Sequence, residues 1–252
     1  MLITFASEKG GVGKTTTAVH AAAYLKDLGH DVAFFEGDGR HSTVEWLEAA
    51  RPSIPHLATT DIDYATHVVD KMHEAGITVV CDAPPGLGPI SLLLLSRASR
   101  VVVPTSPGLL DLAETHRTFA AFCKALGPDE QHRAGDFIAF VNRFEKGNRN
   151  HEETAGVLAH WGVRVARQHV CYRRPVNNAP MMRSTVFDAT DRFGKEAAAE
   201  MRALFDEVLP KELTQNPPIG RDEGSAQPAT ATTPKKKETT HGRRHQKAKQ
   251  AA

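Results

Sequence analysis

The stretch of sequence that decides the fold is Glu8-Lys9-Gly10-Gly11-Val12-Gly13-Lys14-Thr15-Thr16. It follows a short apolar run at residues 2–7 and opens a helical pattern over residues 14–28. Its glycines let the backbone curl so that successive N–H groups converge on an anion, and the start of the helix adds its dipole at the same point. A strand, a glycine-rich loop, Gly-Lys-Thr and a helix in this order predict a phosphate-binding loop.

Two residues of this loop carry side-chain chemistry. We expect Lys14 to neutralise the β- and γ-phosphates of a nucleotide, and the hydroxyl of Thr15 to be a ligand of Mg²⁺. The general form of the motif has a glycine at position 8, where this chain has Glu8, followed by Lys9. The predicted nucleotide-binding residues of the loop are Lys9, Gly10, Gly11, Val12, Gly13, Lys14, Thr15 and Thr16.

Two aspartates follow later apolar runs. Asp38 comes just after residues 32–36, and Asp82 ends residues 78–82, which continue as Ala83-Pro84-Pro85-Gly86. Carboxylates at the carboxyl ends of parallel strands face the ligand crevice of an open sheet. A mostly apolar strand that ends in Asp is typical of a Walker B element, so we expect Asp82 to hold Mg²⁺. Gly86 lets the backbone approach the γ-phosphate.

The first 212 residues alternate between short apolar runs and longer helical patterns. Such alternation predicts βαβ units around a mostly parallel, twisted sheet flanked by helices, in one α/β P-loop NTPase domain over residues 1–212. The predicted strands are 2–7, 32–36, 78–82, 100–105, 137–142 and 163–170. The predicted helices are 14–28, 43–50, 64–74, 110–126, 151–161 and 191–208.

Composition excludes several classes of protein. The chain has 252 residues, of which 40% are hydrophobic and 24% charged, as in an ordinary globular protein. We see no apolar run long enough to cross a membrane and no signal peptide, so a secreted or membrane-spanning protein is not expected. The three cysteines show no paired spacing, which disfavours a disulfide framework or a zinc site and fits a reducing cytoplasm.

The charge of the chain is unevenly distributed. Residues 225–252 contain seven Lys and Arg against one acid, a net charge of +6, whereas the whole chain carries +1, which leaves −5 for the rest. This segment has no Leu, Ile, Val, Phe, Trp or Tyr with which to build a core. We therefore predict a disordered basic tail over residues 213–252. It is either a solvated terminus without a role or an arm that binds a polyanion.

The loop also resembles a known family. Lys-Gly-Gly-Val-Gly-Lys-Thr-Thr at residues 9–16 is similar to the deviant Walker A motif of the ParA/MinD family of ATPases, and residues 82–86 resemble the family's Asp-x-Pro-Pro-Gly. The likeness extends through residues 101–111, 137–143 and 169–188, and is greatest to small ParA proteins of plasmid partition. The chain departs from the family's Asp-x-Asp-Pro-Gln, since it reads Glu-Gly-Asp-Gly-Arg at residues 36–40.

The resemblance implies roles for particular residues. In the family the lysine matched by Lys9 reaches across a dimer interface to the partner's ATP, and the aspartate matched by Asp38 orients the attacking water near the metal. The predicted catalytic residues are thus Lys9, Lys14 and Asp38, and the predicted metal site comprises Thr15, Asp38 and Asp82. The resemblance further implies that Asn142 contacts adenine, and that Arg173 and Arg174 contact DNA.

The function implied is that of an ATP-dependent switch with slow intrinsic turnover. Two subunits with bound ATP and Mg²⁺ would form a homodimer that binds nucleoid DNA non-specifically. A ParB-like or other adaptor protein would stimulate hydrolysis and so drive segregation of plasmid or chromosomal DNA. We expect a cytoplasmic, nucleoid-associated protein without a membrane partner. Sequence-specific operator binding is not expected, because no helix-turn-helix precedes the first strand.

Other functions compete with this one. A ParA-like ATPase that positions a chemoreceptor cluster or a microcompartment, or that assists conjugation, would share the same biochemistry. A membrane-associated regulator like MinD needs large apolar residues in a C-terminal amphipathic helix, which residues 225–252 lack. A reductase like the nitrogenase iron protein needs thiolates at a symmetric edge, whereas Cys81 lies on a predicted core strand. A non-enzymatic DNA-binding module would release no phosphate.

Overall fold

The computed structural model describes residues 1–39 and 41–215, so most of the predicted tail lies outside the described residues. Within them, seven parallel strands form one sheet. The strands are β1 (Leu2–Phe5), β2 (Val32–Glu36), β3 (His56–Ala58), β4 (Thr78–Asp82), β5 (Arg100–Thr105), β6 (Phe137–Phe144) and β7 (Val170–Cys171). Their order across the sheet is β3-β2-β4-β1-β5-β6-β7. The predicted α/β fold with a parallel sheet is confirmed.

Helices cover both faces of the sheet. They are α1 (Lys14–Asp27), α2 (His41–Ala50), α3 (Ile62–Glu74), α4 (Pro89–Arg97), α5 (Leu109–Leu126), α6 (Arg149–His160), α7 (Arg174–Asn178), α8 (Arg192–Val208) and α9 (Lys211–Thr214). Side chains alternate between the faces of each strand. On β1, Ile3 and Phe5 pack in the core with α1, α2 and α8, whereas Leu2 packs in the core with α3, α4, α5 and α6. Burial on both faces explains why the strands read as continuous apolar runs.

One predicted strand is much shorter than expected. The sequence predicts a strand over residues 163–170, but only Val170–Cys171 forms one, and Val165 makes an isolated bridge to Ala139. The reason is a side chain of α8. The backbone N–H groups of Arg167 and Gln168 donate to the carboxylate of Glu207 at 2.9 and 2.8 Å, so they do not join a sheet ladder.

Some elements have no counterpart among the predicted ones. The leucine-rich run of α4 begins at Pro89, in the first helical position where proline is well tolerated. Beyond α8, the short α9 follows Pro210, and its Leu213 is buried in the core. The ring nitrogen Nε2 of His30 lies 2.7 Å from the carbonyl oxygen of Leu213. The folded part thus reaches at least residue 213, just past the expected boundary at 212.

The parallel arrangement gathers the carboxyl ends of β1, β2, β4, β5 and β6 at one edge of the sheet. Loops that leave this edge carry the predicted site residues, including the phosphate loop between β1 and α1. None of the helices in the described part of the chain is both long and apolar enough to cross a membrane.

Candidate functional site

The glycine-rich loop joins β1 to α1 in the conformation that its glycines permit. Gly11 and Gly13 have φ of +79° and +99°, in the left-handed region that favours glycine, and Gly13 caps the start of α1. A Cβ atom on Gly13 would lie 2.2 Å from Nδ2 of Asn142. Two independent constraints, backbone conformation and the close approach of β6, therefore require glycine at position 13.

A buried carboxylate at the end of β4 holds the two side chains that begin α1. Nζ of Lys14 lies 2.9 Å from Oδ1 of Asp82, and the hydroxyl of Thr15 donates to Oδ2 at 2.6 Å. Lys14 and Asp82 are 8% and 2% exposed, so the ion pair is shielded from water. Burial raises the pKa of the Asp82 carboxyl, although Lys14 and Thr15 act in the opposite direction.

The residues around Asp82 fit a magnesium ion bound together with a nucleotide. The Thr15 hydroxyl and the Asp82 carboxylate are hard oxygen donors that lie side by side. Mg²⁺ in nucleotide sites is usually held by one or two protein oxygens plus the phosphates. The described residues contain no group of three or more His, Cys, Asp or Glu that could hold a metal ion.

The turn after β2 brings Asp38 into the same region. Oε1 of the buried Glu36 accepts a hydrogen bond from the backbone N–H of Asp38 at 2.6 Å. The N–H of Gly37 donates to the carbonyl oxygen of Asp82 at 3.0 Å, which ties this turn to the end of β4. A Cβ on Gly37 would meet Pro84 at 2.8 Å. The missing Pro-Gln of the family pattern therefore does not displace Asp38 from the site.

These elements enclose a cleft of about 280 Å³. Its lining residues come from the phosphate loop, the start of α1, the loops after β2 and β4, and the end of β6: Gly10, Gly11, Gly13, Lys14, Thr15, Thr16, Asp38, Pro85 and Arg143. Asp82 is not among the lining residues; it is buried beneath the cleft and contacts the lining residues Lys14 and Thr15. Gly86 is not among them either, and its N–H donates to the carbonyl oxygen of Ser7 at 3.4 Å.

The end of β6 contributes one expected and one unexpected residue. The amide of Asn142, the predicted adenine contact, is buried and donates to the carbonyl oxygen of Val12 at 2.7 Å. Arg143, which the sequence pattern did not indicate, lines the cleft with a left-handed φ of 57°. The ladder between β6 and β7 is irregular here, between Asn142 and Phe144. The residue types of this stretch give no signal by which sequence reasoning could have identified Arg143.

Lys9 is turned toward α5 and does not line the cleft. Its Nζ lies 2.6 Å from Oδ1 of Asp111 in the first turn of that helix. The hydrogen bond to Asp111 raises the pKa of Lys9. The neighbouring Glu8 pairs with Arg117 of the same helix at 2.7 Å. The front of the phosphate loop is thus bound to α5 by two ion pairs.

The two predicted DNA-binding arginines lie at the start of α7, outside the cleft beside the glycine-rich loop. They differ in environment. Arg173 is bound by Glu196 and Glu200 of α8, at 3.1 and 2.7 Å, so its charge is balanced within the subunit. Arg174 is exposed. Arg173 is therefore engaged within the subunit, whereas the side chain of Arg174 is accessible to a partner.

Residues 3–186 of the chain match the family model of the CobQ/CobB/MinD/ParA nucleotide binding domain. The chain therefore belongs to this family, and the resemblance to ParA/MinD proteins is confirmed. The family model describes a nucleotide binding domain, and the glycine-rich loop and the residues that line its cleft lie within the matched residues.

Two curated relatives match about two fifths of the chain. The chromosome-partitioning ATPase Soj of Thermus thermophilus is 33% identical over 132 residues, which cover 40% of this chain and 53% of Soj. The maintenance of carboxysome distribution protein A of Gloeobacter kilaueensis is 34% identical over 108 residues, 42% of this chain and 49% of that protein. The chain thus spans about half the length of the curated relatives it matches.

The fold also matches solved structures. The MinD cell division protein of Aquifex aeolicus superposes with a TM-score of 0.62 over 83% of this chain and 98% of that chain. The two sequences are 17% identical, so this likeness concerns the fold.

Proposed function

We propose that the protein is a slow ATPase of the ParA type, which dimerises with ATP, binds DNA non-specifically and drives DNA partition with an adaptor that stimulates hydrolysis. The observation that supports this most is the arrangement of Lys14, Thr15 and Asp82 beneath the glycine-rich loop, with Asp38 in the same cleft. Lys14 supplies a cation that can bind phosphate, Thr15 and Asp82 supply oxygen ligands for Mg²⁺, and Asp38 supplies a carboxylate that can orient water.

The reaction proposed is attack of water on the γ-phosphate. A bond forms between the water oxygen and phosphorus, and the bond from phosphorus to the β-γ bridging oxygen breaks, so that ADP leaves. The proton that the water loses is carried by the released inorganic phosphate. Asp38 orients the water, and Lys14 neutralises charge on the β- and γ-phosphates. Asp82 holds Lys14 at 2.9 Å, so the ammonium is oriented before the nucleotide arrives. Thr15 and Asp82 would hold Mg²⁺, which neutralises developing negative charge on the phosphate oxygens when bound.

The dimer part of the proposal rests on Lys9. By the family resemblance, Lys9 of each subunit contacts the ATP of the other, so that two nucleotides lie between two subunits. Such a switch must keep its ATP until an adaptor arrives, which is the reason to expect slow intrinsic turnover.

The positive charges of Arg174 and of residues 225–252 favour DNA as the ligand that the protein binds and moves. Arg174 is exposed on the body, and the basic residues 225–252 carry a net charge of +6. The relative Soj is a chromosome-partitioning ATPase. We accordingly place the protein in the cytoplasm, on the nucleoid and without a membrane partner.

A second candidate is positioning of a non-DNA cargo, such as a microcompartment or a chemoreceptor cluster, or assistance of conjugation. The match to a carboxysome distribution protein supports this alternative. Both candidates require the same ATPase, and they differ in which adaptor accelerates it.

The ATPase is tested by phosphate release. Wild type should release phosphate from ATP slowly, faster with DNA and an adaptor, whereas Lys14→Gln should release none above background. Glutamine keeps an N–H donor and removes the positive charge. Lys26→Ala, at the far end of α1, serves as the control and should match wild type. Equal rates for Lys14→Gln and wild type would refute the assignment.

A further inference from the structure

The lysine proposed to act on a second subunit is held by a helix of its own subunit. Nζ of Lys9 lies 2.6 Å from Oδ1 of Asp111, in the first turn of α5. The side chain of Lys9 is 44% exposed and that of Asp111 is 13% exposed. The pair therefore lies at the surface, and it can open without disturbing the core.

A second ion pair fixes the register of this contact. Glu8 binds Arg117 of the same helix at 2.7 Å. The acidic Glu8 thus pairs with a basic residue of α5, and the adjacent basic Lys9 pairs with an acidic one. A shift of the loop along α5 would bring like charges together. The loop and helix thus favour one alignment, in which Lys9 faces Asp111.

The contact with Asp111 competes with the role proposed for Lys9. A lysine ammonium bound to a carboxylate of its own subunit must leave that carboxylate to reach a nucleotide on another subunit. A triphosphate carries more negative charge than one carboxylate and so can displace it. A diphosphate offers less charge and lacks the γ-phosphate.

We propose that Asp111 is a positioning residue, which retains Lys9 on its own subunit until a second ATP-bound copy offers a triphosphate. The Lys9–Asp111 pair thereby sets a threshold against dimerisation of subunits without ATP. This inference rests on the proposed function of Lys9 across the dimer interface.

The size of the threshold follows from the kind of ion pair. Exposed pairs are worth about 1.4- to 5-fold in an equilibrium constant, and two are broken in each dimer. Asp111→Asn should therefore lower the dissociation constant of the ATP dimer by about 2- to 30-fold. It should also allow some dimer to form with ADP, while the affinity of the monomer for nucleotide stays unchanged.

The experiment is sedimentation velocity over a range of protein concentrations, with ATP and with ADP. Asp111→Asn is compared with Asp111→Glu, which keeps the ion pair and should behave as wild type. Asp70→Asn is the matched control, because Asp70 forms a surface pair with Arg97 at 3.3 Å on other helices. Asp111→Ser, which keeps an oxygen acceptor in the first turn of α5, replaces Asp111→Asn if the latter has a lowered melting temperature.

The outcomes separate this inference from the proposed function. Tighter dimerisation of Asp111→Asn, beside an unchanged dissociation constant for Asp111→Glu and Asp70→Asn, supports it, because the tightening then follows from loss of the carboxylate that holds Lys9. Unchanged or weaker dimerisation of Asp111→Asn, beside a wild type that dimerises with ATP, overturns it and leaves the proposed function intact. Tightening that persists in the Lys9→Ala background also overturns it. A wild type that stays monomeric with ATP refutes the proposed function and this inference with it.

Discussion

The amide nitrogen of Asn142 lies 2.7 Å from the carbonyl oxygen of Val12, which makes the end of β6 a brace for the phosphate loop. Both partners are buried, and Gly13 must lack a side chain for the amide to fit. The donor that the family resemblance assigns to adenine is thus used here to hold the backbone that surrounds the phosphates.

The hydrogen bond from Asn142 to Val12 gives a prediction about ligands that carry phosphates but no adenine. Asn142→Ala leaves the Val12 carbonyl without its donor, at a cost of about 1–3 kcal/mol. If the amide mainly holds the loop, affinities for ATP and for inorganic tripolyphosphate should fall by similar factors in titration calorimetry. A loss confined to ATP would show instead that Asn142 acts on the adenine.

Asp38 should be needed for hydrolysis and not for nucleotide binding. Asp38→Ala removes the carboxylate that orients water, so phosphate release should fall by about 100-fold or more. ATP affinity should stay within a few-fold of wild type, and the ATP dimer should persist. Asp31→Ala, an exposed carboxylate at the other end of β2, is the control. Unchanged turnover in Asp38→Ala would shift the role to Glu36.

Buried His20 should make the fold sensitive to acid. Its Nε2 accepts a hydrogen bond from the N–H of Val186 at 3.2 Å, so Nδ1 is the nitrogen that donates to the carbonyl oxygen of Thr16, at 2.7 Å. Burial lowers the pKa of His20 from 6.5 to about 4. His20 is therefore protonated below about pH 6.5 in the unfolded chain, but only below about pH 4 in the folded protein.

The free energy of unfolding should consequently decrease as pH falls through this window, with a contribution from His20 of about 3 kcal/mol. Urea titrations between pH 4.5 and 7 measure it. His20→Phe, which suits the neighbouring rings of Trp46 and Phe187, should be less stable at neutral pH but lose less stability on acidification. His67→Gln, at an exposed site, should keep the wild-type slope. A wild-type slope in His20→Phe would contradict the assignment.

The arginines at α7 should separate into two classes of variant. Arg174→Ala should weaken ATP-dependent DNA binding and flatten the plot of log affinity against log salt by about 0.9 for each DNA phosphate that is no longer neutralised. Arg173→Ala should mainly lower the melting temperature, because Glu196 and Glu200 lose their shared partner. Fluorescence anisotropy at several salt concentrations distinguishes them. A full ATP-dependent gain in DNA affinity for Arg174→Ala would place the site elsewhere.

The tail makes a separate prediction. Deletion of residues 225–252 removes a net charge of +6, so it should weaken DNA binding and reduce the salt slope in both nucleotide states. The ATP dependence should remain, because it comes from pairing two bodies. Unchanged affinity and slope after the deletion would identify the tail as a solvated terminus.

The parts of the site that sequence can predict depend on local chemistry. The glycines, Lys14 and Thr15 lie within one short segment whose conformation follows from its residue types, and Asp82 follows from its position at the end of an apolar strand. Strand positions follow from the sequence where both faces are apolar. The prediction for residues 163–170 is wrong because a distant carboxylate, that of Glu207, binds the N–H groups of this segment.

The remaining features depend on contacts between distant parts of the chain. Asp111 lies 102 residues from Lys9, and nothing in the local pattern of either residue indicates their ion pair. The pairing of Arg173 with α8 likewise requires the fold. Arg143 enters the cleft through an irregularity of β6 that residue types alone do not reveal.

The proposed switch is tested most directly by following molar mass with light scattering while ATP is consumed. The subunit has a mass of 27.4 kDa. The mass should double on addition of ATP and return to that of the monomer as phosphate is released, whereas ADP should leave it unchanged. A mass that stays at 27.4 kDa with ATP, or a dimer that forms equally with ADP, would contradict the account.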